Sequence, residues 1–191
     1  MEEQRLVLGG YAAAPRALRG QWQDSAVLPP WLVTVSECLT GATHGSGAAW
    51  YTDRTEAARP GTTVLAVGFE ADDADDLDRE FGGAPLRLLR TGAEMPEDAR
   101  LWGFEVVGVE GSLASLHSWL CHGYEARIAA ELGIRPNTCG LLDSYEEASR
   151  VLEWMLDRPA DEAPEPVYWT IAGLAECGAA QPPRSLSLKR A

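Results

Sequence analysis

The sequence predicts an α+β fold, a mainly antiparallel or mixed sheet of about five to seven strands with two main helices packed on one face. The two helical stretches span about residues 112–132 and 145–157 and have apolar residues at helical spacing. Short strand-like runs outnumber them and do not alternate with them, which disfavours a parallel α/β sheet. The length of 191 residues suits one domain. We assign residues 1–180 to it and expect 181–191 to be a disordered tail.

Strands are expected where apolar and β-branched residues form short runs between turn residues. Pro60-Gly61 is one such turn. The expected strands cover residues 5–8, 31–35, 48–52, 62–69, 86–89, 101–109 and 167–172. A short acidic helix is expected over 70–80, because acids near a helix N-terminus are favoured by its dipole.

The long helix is predicted from a repeating apolar face. At about 100° per residue, one broad face carries Leu113, Leu116, Leu120, Tyr124 and Ile128. His117 and Cys121 fall within that face, whereas Trp119 and His122 lie outside it. Gly123 costs about 1 kcal/mol in a helix interior relative to alanine, and Gly133 supplies the expected stop.

The second helix has a clearer beginning. Ser144 and Glu147 match a capping box, in which the serine hydroxyl serves the amide of the third helical residue. Its apolar residues are Ala148, Val151, Leu152 and Met155.

The charge is strongly negative, −13 overall. Residues 70–165 hold eight arginines against twenty-two acidic residues, so the excess lies in the middle of the chain. This balance excludes nucleic acid and anionic membrane surfaces as expected partners, because both require clustered basic residues. It favours a basic protein partner.

The compartment is predicted from what the chain lacks. Its four cysteines form no CxxC pair, and neither a signal peptide nor an apolar run of about 20 residues is present. We therefore expect a cytoplasmic, reduced protein with neither metal nor cofactor. The scarcity of lysine and asparagine suggests a GC-rich bacterial gene.

The cluster His117, Cys121 and His122 holds two of the three histidines. Spacing of four residues puts His117 and Cys121 on one helix face, where a thiol and an imidazole can make a nucleophile or contribute two zinc ligands. The shared face is also the expected core face, and core packing is the favoured interpretation because cysteine is often buried. Cys121, with His117 or His122 as base, is the candidate catalytic set.

The acidic run and two tryptophans are the candidate partner-binding residues. No register of the run places both glycine and glutamate as a calcium-binding EF-hand loop requires. A docking surface for a basic partner remains as an alternative to a solvated helix face. Trp119 and Trp154 lie off the apolar stripes and are candidate exposed anchors. The partner-binding set is Asp72, Asp73, Asp75, Asp76, Trp119 and Trp154.

No phosphate-binding loop, dinucleotide fingerprint or nucleophile elbow is present. The expected function is therefore an acidic cytoplasmic binding protein without catalysis, of the immunity or antidote type, which covers a basic partner. The alternatives are a small cysteine- and histidine-dependent enzyme and a zinc-binding domain, both built on His117, Cys121 and His122.

Overall fold

The structure is a computed structural model that describes residues 5–14, 17–18, 26–40, 50–58, 63–81, 88–110 and 115–178. It confirms the α+β prediction. A six-stranded sheet has the order β4-β1-β5-β8-β6-β7, with every neighbouring pair antiparallel. A small separate sheet pairs β2 with β3. The strands are β1 (Leu6–Ala14), β2 (Ala17–Leu18), β3 (Trp31–Leu32), β4 (Trp50–Tyr51), β5 (Thr63–Glu70), β6 (Ala99–Glu110), β7 (Ser115–Ser118) and β8 (Tyr168–Cys177).

Helices cover both faces of the large sheet. They are α1 (Glu37–Thr40), α2 (Arg54–Ala57), α3 (Ala71–Phe81), α4 (Glu125–Glu131) and α5 (Tyr145–Leu156). Alternation along β6 separates the two faces. Phe104 and Val106 join the core cluster that contains α4 and α5 residues, whereas Val107 and Val109 join the cluster that contains α3 residues. The helices α4 and α5 therefore share a face, as expected of the two main helices, and α3 packs on the other.

The helix α5 begins and ends close to its predicted bounds. The Ser144 hydroxyl accepts a hydrogen bond from the Glu147 amide at 3.2 Å, as a capping box requires. The Glu147 carboxylate accepts from the Asp143 amide at 3.1 Å, one residue before the expected partner. Local capping and apolar spacing point to the same structure here, which explains the accurate prediction.

The predicted helix over 112–132 is wrong. Ser115–Ser118 forms β7, which pairs antiparallel with β6 and places Leu116 opposite Val109. A 3-10 turn follows at Trp119–His122, and Gly123 adopts the left-handed conformation at φ +69°. Only Glu125–Glu131 is α-helical, and residues 112–114 lie outside the described part of the chain. The pairing of residues 115–118 with β6 outweighs the helical preference of the local sequence.

Several strand predictions also change. The strand expected at 31–35 ends at Leu32, and residues 33–36 form an irregular segment before α1. Leu89–Thr91 is a 3-10 turn where a strand was expected at 86–89, of which 86–87 are not described. The strands β1 and β8 extend beyond their predicted ends, to Ala14 and Cys177. The tail 181–191 lies outside the described residues.

Among the described residues, no helix is long and apolar enough to cross a membrane.

Candidate functional site

A thiol, an imidazole and a carboxylate meet at the edge of the sheet. Cys38 lies on α1, which packs beside β7. Its Sγ atom is 3.6 Å from Nδ1 of His117, a residue 79 positions away in sequence. The other ring nitrogen of His117, Nε2, is 3.4 Å from Oε2 of Glu110. The three side chains therefore form a continuous chain of polar contacts.

The chemistry of the contacts selects one tautomer of His117. The Glu110 carboxylate can only accept a hydrogen bond, so Nε2 must carry the proton in that contact. Nδ1 is then unprotonated in the neutral ring, and its lone pair faces the Cys38 thiol. One tautomer thus satisfies both contacts and leaves the imidazole ready to accept the thiol proton.

The strand pairing of β6 and β7 brings His117 and Glu110 together. His117 lies opposite Gly108, and Glu110 follows two residues later on the same face of β6. Their side chains are 12% and 31% exposed, so the imidazole is mostly covered while the carboxylate reaches solvent. Cys38 is exposed. A reagent in solution can therefore reach the sulfur of a thiol whose imidazole partner is held by the sheet.

Cys121 occupies a different environment. It lies in the 3-10 turn, where its Sγ is 3.4 Å from the Ser36 hydroxyl. Burial raises the pKa of the Cys121 thiol to about 12, an effect that the hydrogen bond to Ser36 opposes only in part. His117 lies on β7 and Cys121 lies in the 3-10 turn that follows, so the two residues do not share the face of an α-helix. The expected geometry of this pair is wrong.

His122 does not turn toward solvent as expected. Its ring stacks on Tyr124 with centroids 5.1 Å apart and meets Trp169 edge-on at 5.5 Å. Nε2 lies 2.9 Å from Oε2 of Glu165, yet it is buried and without hydrogen-bond geometry. Burial lowers the pKa of His122, and the nearby Glu165 carboxylate opposes that shift. His122 is therefore a packed side chain beside the site.

Both tryptophans expected as exposed anchors are buried, so that expectation is wrong. Trp119 is 0% exposed and belongs to the core cluster of the α4 and α5 face. Trp154 is 8% exposed and its indole donates to Glu131 at 2.8 Å. The guanidinium of Arg158 covers its ring at 4.1 Å from the centroid. The helical angle alone did not predict the burial of these two tryptophans, because the residues that cover them belong to other parts of the chain.

Of the four predicted binding carboxylates in the acidic run, two interact with other side chains and two are exposed without an ion pair among the described residues. Asp73 accepts a hydrogen bond from the Thr170 hydroxyl at 2.5 Å, and Asp76 pairs with Arg79 at 2.7 Å. Asp72 and Asp75 are exposed on α3, and neither forms an ion pair with another residue that the structure describes. Two of the four predicted binding carboxylates are therefore open to a partner.

Within the described ranges, no group of three or more histidine, cysteine, aspartate or glutamate side chains is arranged to hold a metal ion. Comparison with known proteins gives no match to a protein-family model, to a curated protein or to a solved structure.

Sequence reasoning missed Cys38 and Glu110 as site residues. Cys38 and His117 are far apart in sequence, and no spacing rule links them. Glu110 was expected just beyond a strand, with nothing to indicate that it faces a histidine. The strand 101–109 was a partial signal, because it placed the carboxylate of Glu110 at the end of a buried strand. The pairing of β7 with β6 brings His117 to Glu110, and the packing of α1 beside β7 brings Cys38 to His117.

Proposed function

We propose that the protein is a cysteine-dependent enzyme in which Cys38 is the nucleophile, His117 the general base and Glu110 the residue that orients the imidazole. The observation that carries this proposal is the continuous contact chain from Cys38 Sγ through both ring nitrogens of His117 to Glu110 Oε2. A nucleophile, a base within hydrogen-bonding reach and a third group that orients the base are the parts that covalent catalysis requires.

The reaction that suits these groups is acyl transfer to the thiol. The Cys38 proton passes to Nδ1 of His117 as the sulfur attacks the carbonyl carbon of an ester or thioester. The bond from that carbon to the leaving group breaks, and the imidazolium proton passes to the leaving group. Water then gives a proton to Nδ1 and its hydroxyl to the acyl carbon. Cys38 leaves as a thiolate and recovers the proton from His117.

Exposure favours Cys38 over Cys121 as the nucleophile. The thiolate is the reactive form, and burial keeps the Cys121 thiol protonated near neutral pH. Cys38 is exposed and has an imidazole as its neighbour, whereas Cys121 faces a serine hydroxyl. The assignment of Cys121 as nucleophile stays a prediction that these surroundings disfavour.

Acylation by p-nitrophenyl acetate tests the proposal. The full chain should release a burst of p-nitrophenolate close to one equivalent per chain, with the acetyl group found on Cys38 by peptide mass spectrometry. Cys38→Ser should abolish the burst. Cys177→Ser is the matched control, because that cysteine pairs with Ala99 at the end of β6 opposite to Glu110, and it should leave the burst amplitude unchanged.

The proposal would be overturned if wild-type protein and Cys38→Ser released p-nitrophenolate at the same rate. Acetylation found on Cys121 and absent from Cys38 would restore the earlier assignment. The ester is a reporter of nucleophilicity, and its turnover does not define the natural substrate.

A second function is supported by a separate observation, the open carboxylates Asp72 and Asp75 on α3. We also propose that this surface binds a basic protein partner, as an immunity or antidote protein would. Charge complementarity raises the association rate and weakens as salt screens it. This function does not use Cys38 and is compatible with the first.

Charge reversal tests the binding function. A stoichiometric complex with a basic protein should form from lysate of the source cells and weaken at high salt. Asp72→Lys combined with Asp75→Lys should release the partner, whereas Asp161→Lys, an exposed acid outside α3, should retain it. Equal capture by both variants would contradict a role for α3.

A further inference from the structure

A buried carboxyl group lies beneath the proposed site. Glu105, on β6, is 1% exposed, and its side chain points to the face opposite to that of His117. The Thr34 hydroxyl donates to Oε1 at 2.5 Å, and the Val35 amide donates to Oε2 at 3.1 Å. The Ser118 hydroxyl also hydrogen-bonds to the carboxyl group. The Glu105 side chain thus binds two separate parts of the chain.

The two parts are those that carry the nucleophile and the base. Thr34 and Val35 belong to the irregular segment 33–36, which leads directly to Cys38 on α1. Ser118 is the neighbour of His117 at the end of β7. A side chain that fixes both the segment and the strand also fixes the separation of Cys38 from His117.

The hydrogen bonds extend into both parts. The Ser36 amide donates to the Thr34 hydroxyl at 2.9 Å, which closes a tight turn immediately before α1. On the other side, the Leu120 amide donates to the Ser118 hydroxyl at 3.2 Å and begins the 3-10 turn. A second anchor holds the segment from the opposite side, since the Val33 amide donates to the Cys139 carbonyl at 2.8 Å.

We infer that Glu105 is a positioning residue that sets the distance between Cys38 and His117 by binding the segment 33–36 and Ser118 together. The inference rests on the proposed thiol chemistry. Buried carboxyl groups are expensive unless fully hydrogen-bonded, and this one is satisfied on both oxygens by groups adjacent to the site. Reaction rates are sensitive to such placement, since a misplacement of about 1 Å costs about a hundredfold.

Three variants at two adjacent positions test this role. Glu105→Ala removes all the contacts of the carboxyl group. Glu105→Gln retains the contacts with the segment, because its amide can donate to the Thr34 hydroxyl and its carbonyl can accept from the Val35 amide. Val106→Ala is the matched control, since Val106 is 0% exposed, is the next residue on β6 and points to the other face. It removes buried volume but none of the hydrogen bonds that the Glu105 carboxyl group makes to the segment and to Ser118.

The measurement is the second-order rate of Cys38 alkylation by iodoacetamide, followed by peptide mass spectrometry below the unfolding midpoint of every variant. Glu105→Ala should slow alkylation about tenfold or more by misplacing the thiol relative to His117. Glu105→Gln and Val106→Ala should each stay within about twofold of wild type. Rescue by glutamine separates positioning from a general loss of stability, because Val106→Ala also destabilises the core.

The two proposals fail in distinguishable ways. If His117→Gln does not slow alkylation of Cys38 in otherwise wild-type protein, the proposed thiol chemistry fails. If His117→Gln slows alkylation and Glu105→Ala does not, only the positioning role fails. Equal slowing by Glu105→Ala and Val106→Ala would likewise overturn it, since the effect would follow stability alone.

Discussion

Cys38 and Cys121 lie in the same neighbourhood and have opposite surroundings. Cys38 is exposed and faces a histidine ring, whereas Cys121 is largely buried and faces the hydroxyl of Ser36. Electrostatic interaction between the two thiols and between Cys121 and Glu105 contributes to the raised pKa of Cys121. Solvation and the identity of the polar neighbour therefore separate two chemically identical groups.

The comparison shows why a cysteine near a histidine in sequence is a poor guide to reactivity. Cys121 lies four residues from His117 along the chain, yet the ring contacts Cys38, 79 residues away. Proximity in sequence becomes proximity in space only if the intervening chain has the expected structure. Here a strand, a 3-10 turn and a left-handed glycine replace the helix that would have joined them.

The largest expected effect is the difference in alkylation between the two thiols. A pKa of about 12 leaves Cys121 with a thiolate fraction at neutral pH about a thousandfold or more below that of a cysteine in a model peptide, whereas Cys38 is exposed and its sulfur faces an imidazole base. Iodoacetamide should therefore label Cys38 at least about a thousandfold faster than Cys121 in the native state. Peptide mass spectrometry measures both rates in one sample, and unfolding in urea should remove the difference. Comparable native rates would erase the distinction between the thiols.

Glu105 interacts electrostatically with Cys121 and hydrogen-bonds to the segment that precedes Cys38, and its titration should be visible in the stability of the fold. Burial raises its pKa from 4.5 to about 7, an effect opposed by hydrogen bonds from Thr34, Ser118 and the Val35 amide. The unfolded chain loses this proton near pH 4.5 while the folded chain retains it until about pH 7. The free energy of unfolding should consequently fall by about 3 kcal/mol as pH rises through that window.

Urea unfolding of wild-type protein and Glu105→Gln across that window measures the effect. Cys121, which interacts electrostatically with Glu105, stays neutral in this window because burial raises the pKa of its thiol to about 12. The difference between the two proteins should therefore isolate Glu105, with the variant gaining relative stability as pH rises. Parallel pH profiles would contradict the assignment.

A smaller effect is expected from His117→Gln. Glutamine can keep a hydrogen bond to either neighbour but cannot take up the thiol proton. Alkylation of Cys38 at neutral pH should slow by about thirtyfold, within the range of positioned proton transfer and thiol activation. The rate for Cys121 should stay low and unchanged, which provides the internal control. An unchanged Cys38 rate would mean that exposure alone accounts for its reactivity.

The smallest effect is expected from Glu110→Gln. The carboxylate is 31% exposed and 3.4 Å from His117, so solvent weakens its interaction with the imidazolium. Alkylation of Cys38 should slow by about two- to fivefold, less than on removal of the base itself. Glu97→Gln, an exposed acid before β6, is the matched control and should have no effect. A loss as large as that of His117→Gln would assign Glu110 a larger role than orientation.

Sequence reasoning predicted the parts of the fold that depend on local signals. The helix α5 has a serine cap, acids in its first turn and apolar residues at regular spacing, all of which agree. The central strands β5 and β6 are continuous apolar runs that were recognised as strands. These elements were predictable because neighbouring residues alone specify them.

The region around β7 could not be predicted in this way, because its structure depends on a distant partner. Leu116 and Leu120 have the spacing of a helix, yet Leu116 packs opposite Val109 and Leu120 lies in the next turn. Ser118 and Gly123 were signals against a continuous helix, since serine caps turns and glycine accepts positive φ. The site could not be predicted for the same reason. Cys38, His117 and Glu110 come from three elements that only tertiary packing brings together.

The position of β7 at the end of the sheet has a consequence for heat inactivation. Its four residues pair with β6 alone among the described strands, and α1 covers its other side. Such peripheral elements open at a lower free energy than the sheet as a whole. Fraying of β7 would carry His117 away from Cys38 while the central strands remained paired. In a warming sample, the part of Cys38 reactivity that depends on His117 should therefore be lost before the cooperative loss of circular dichroism.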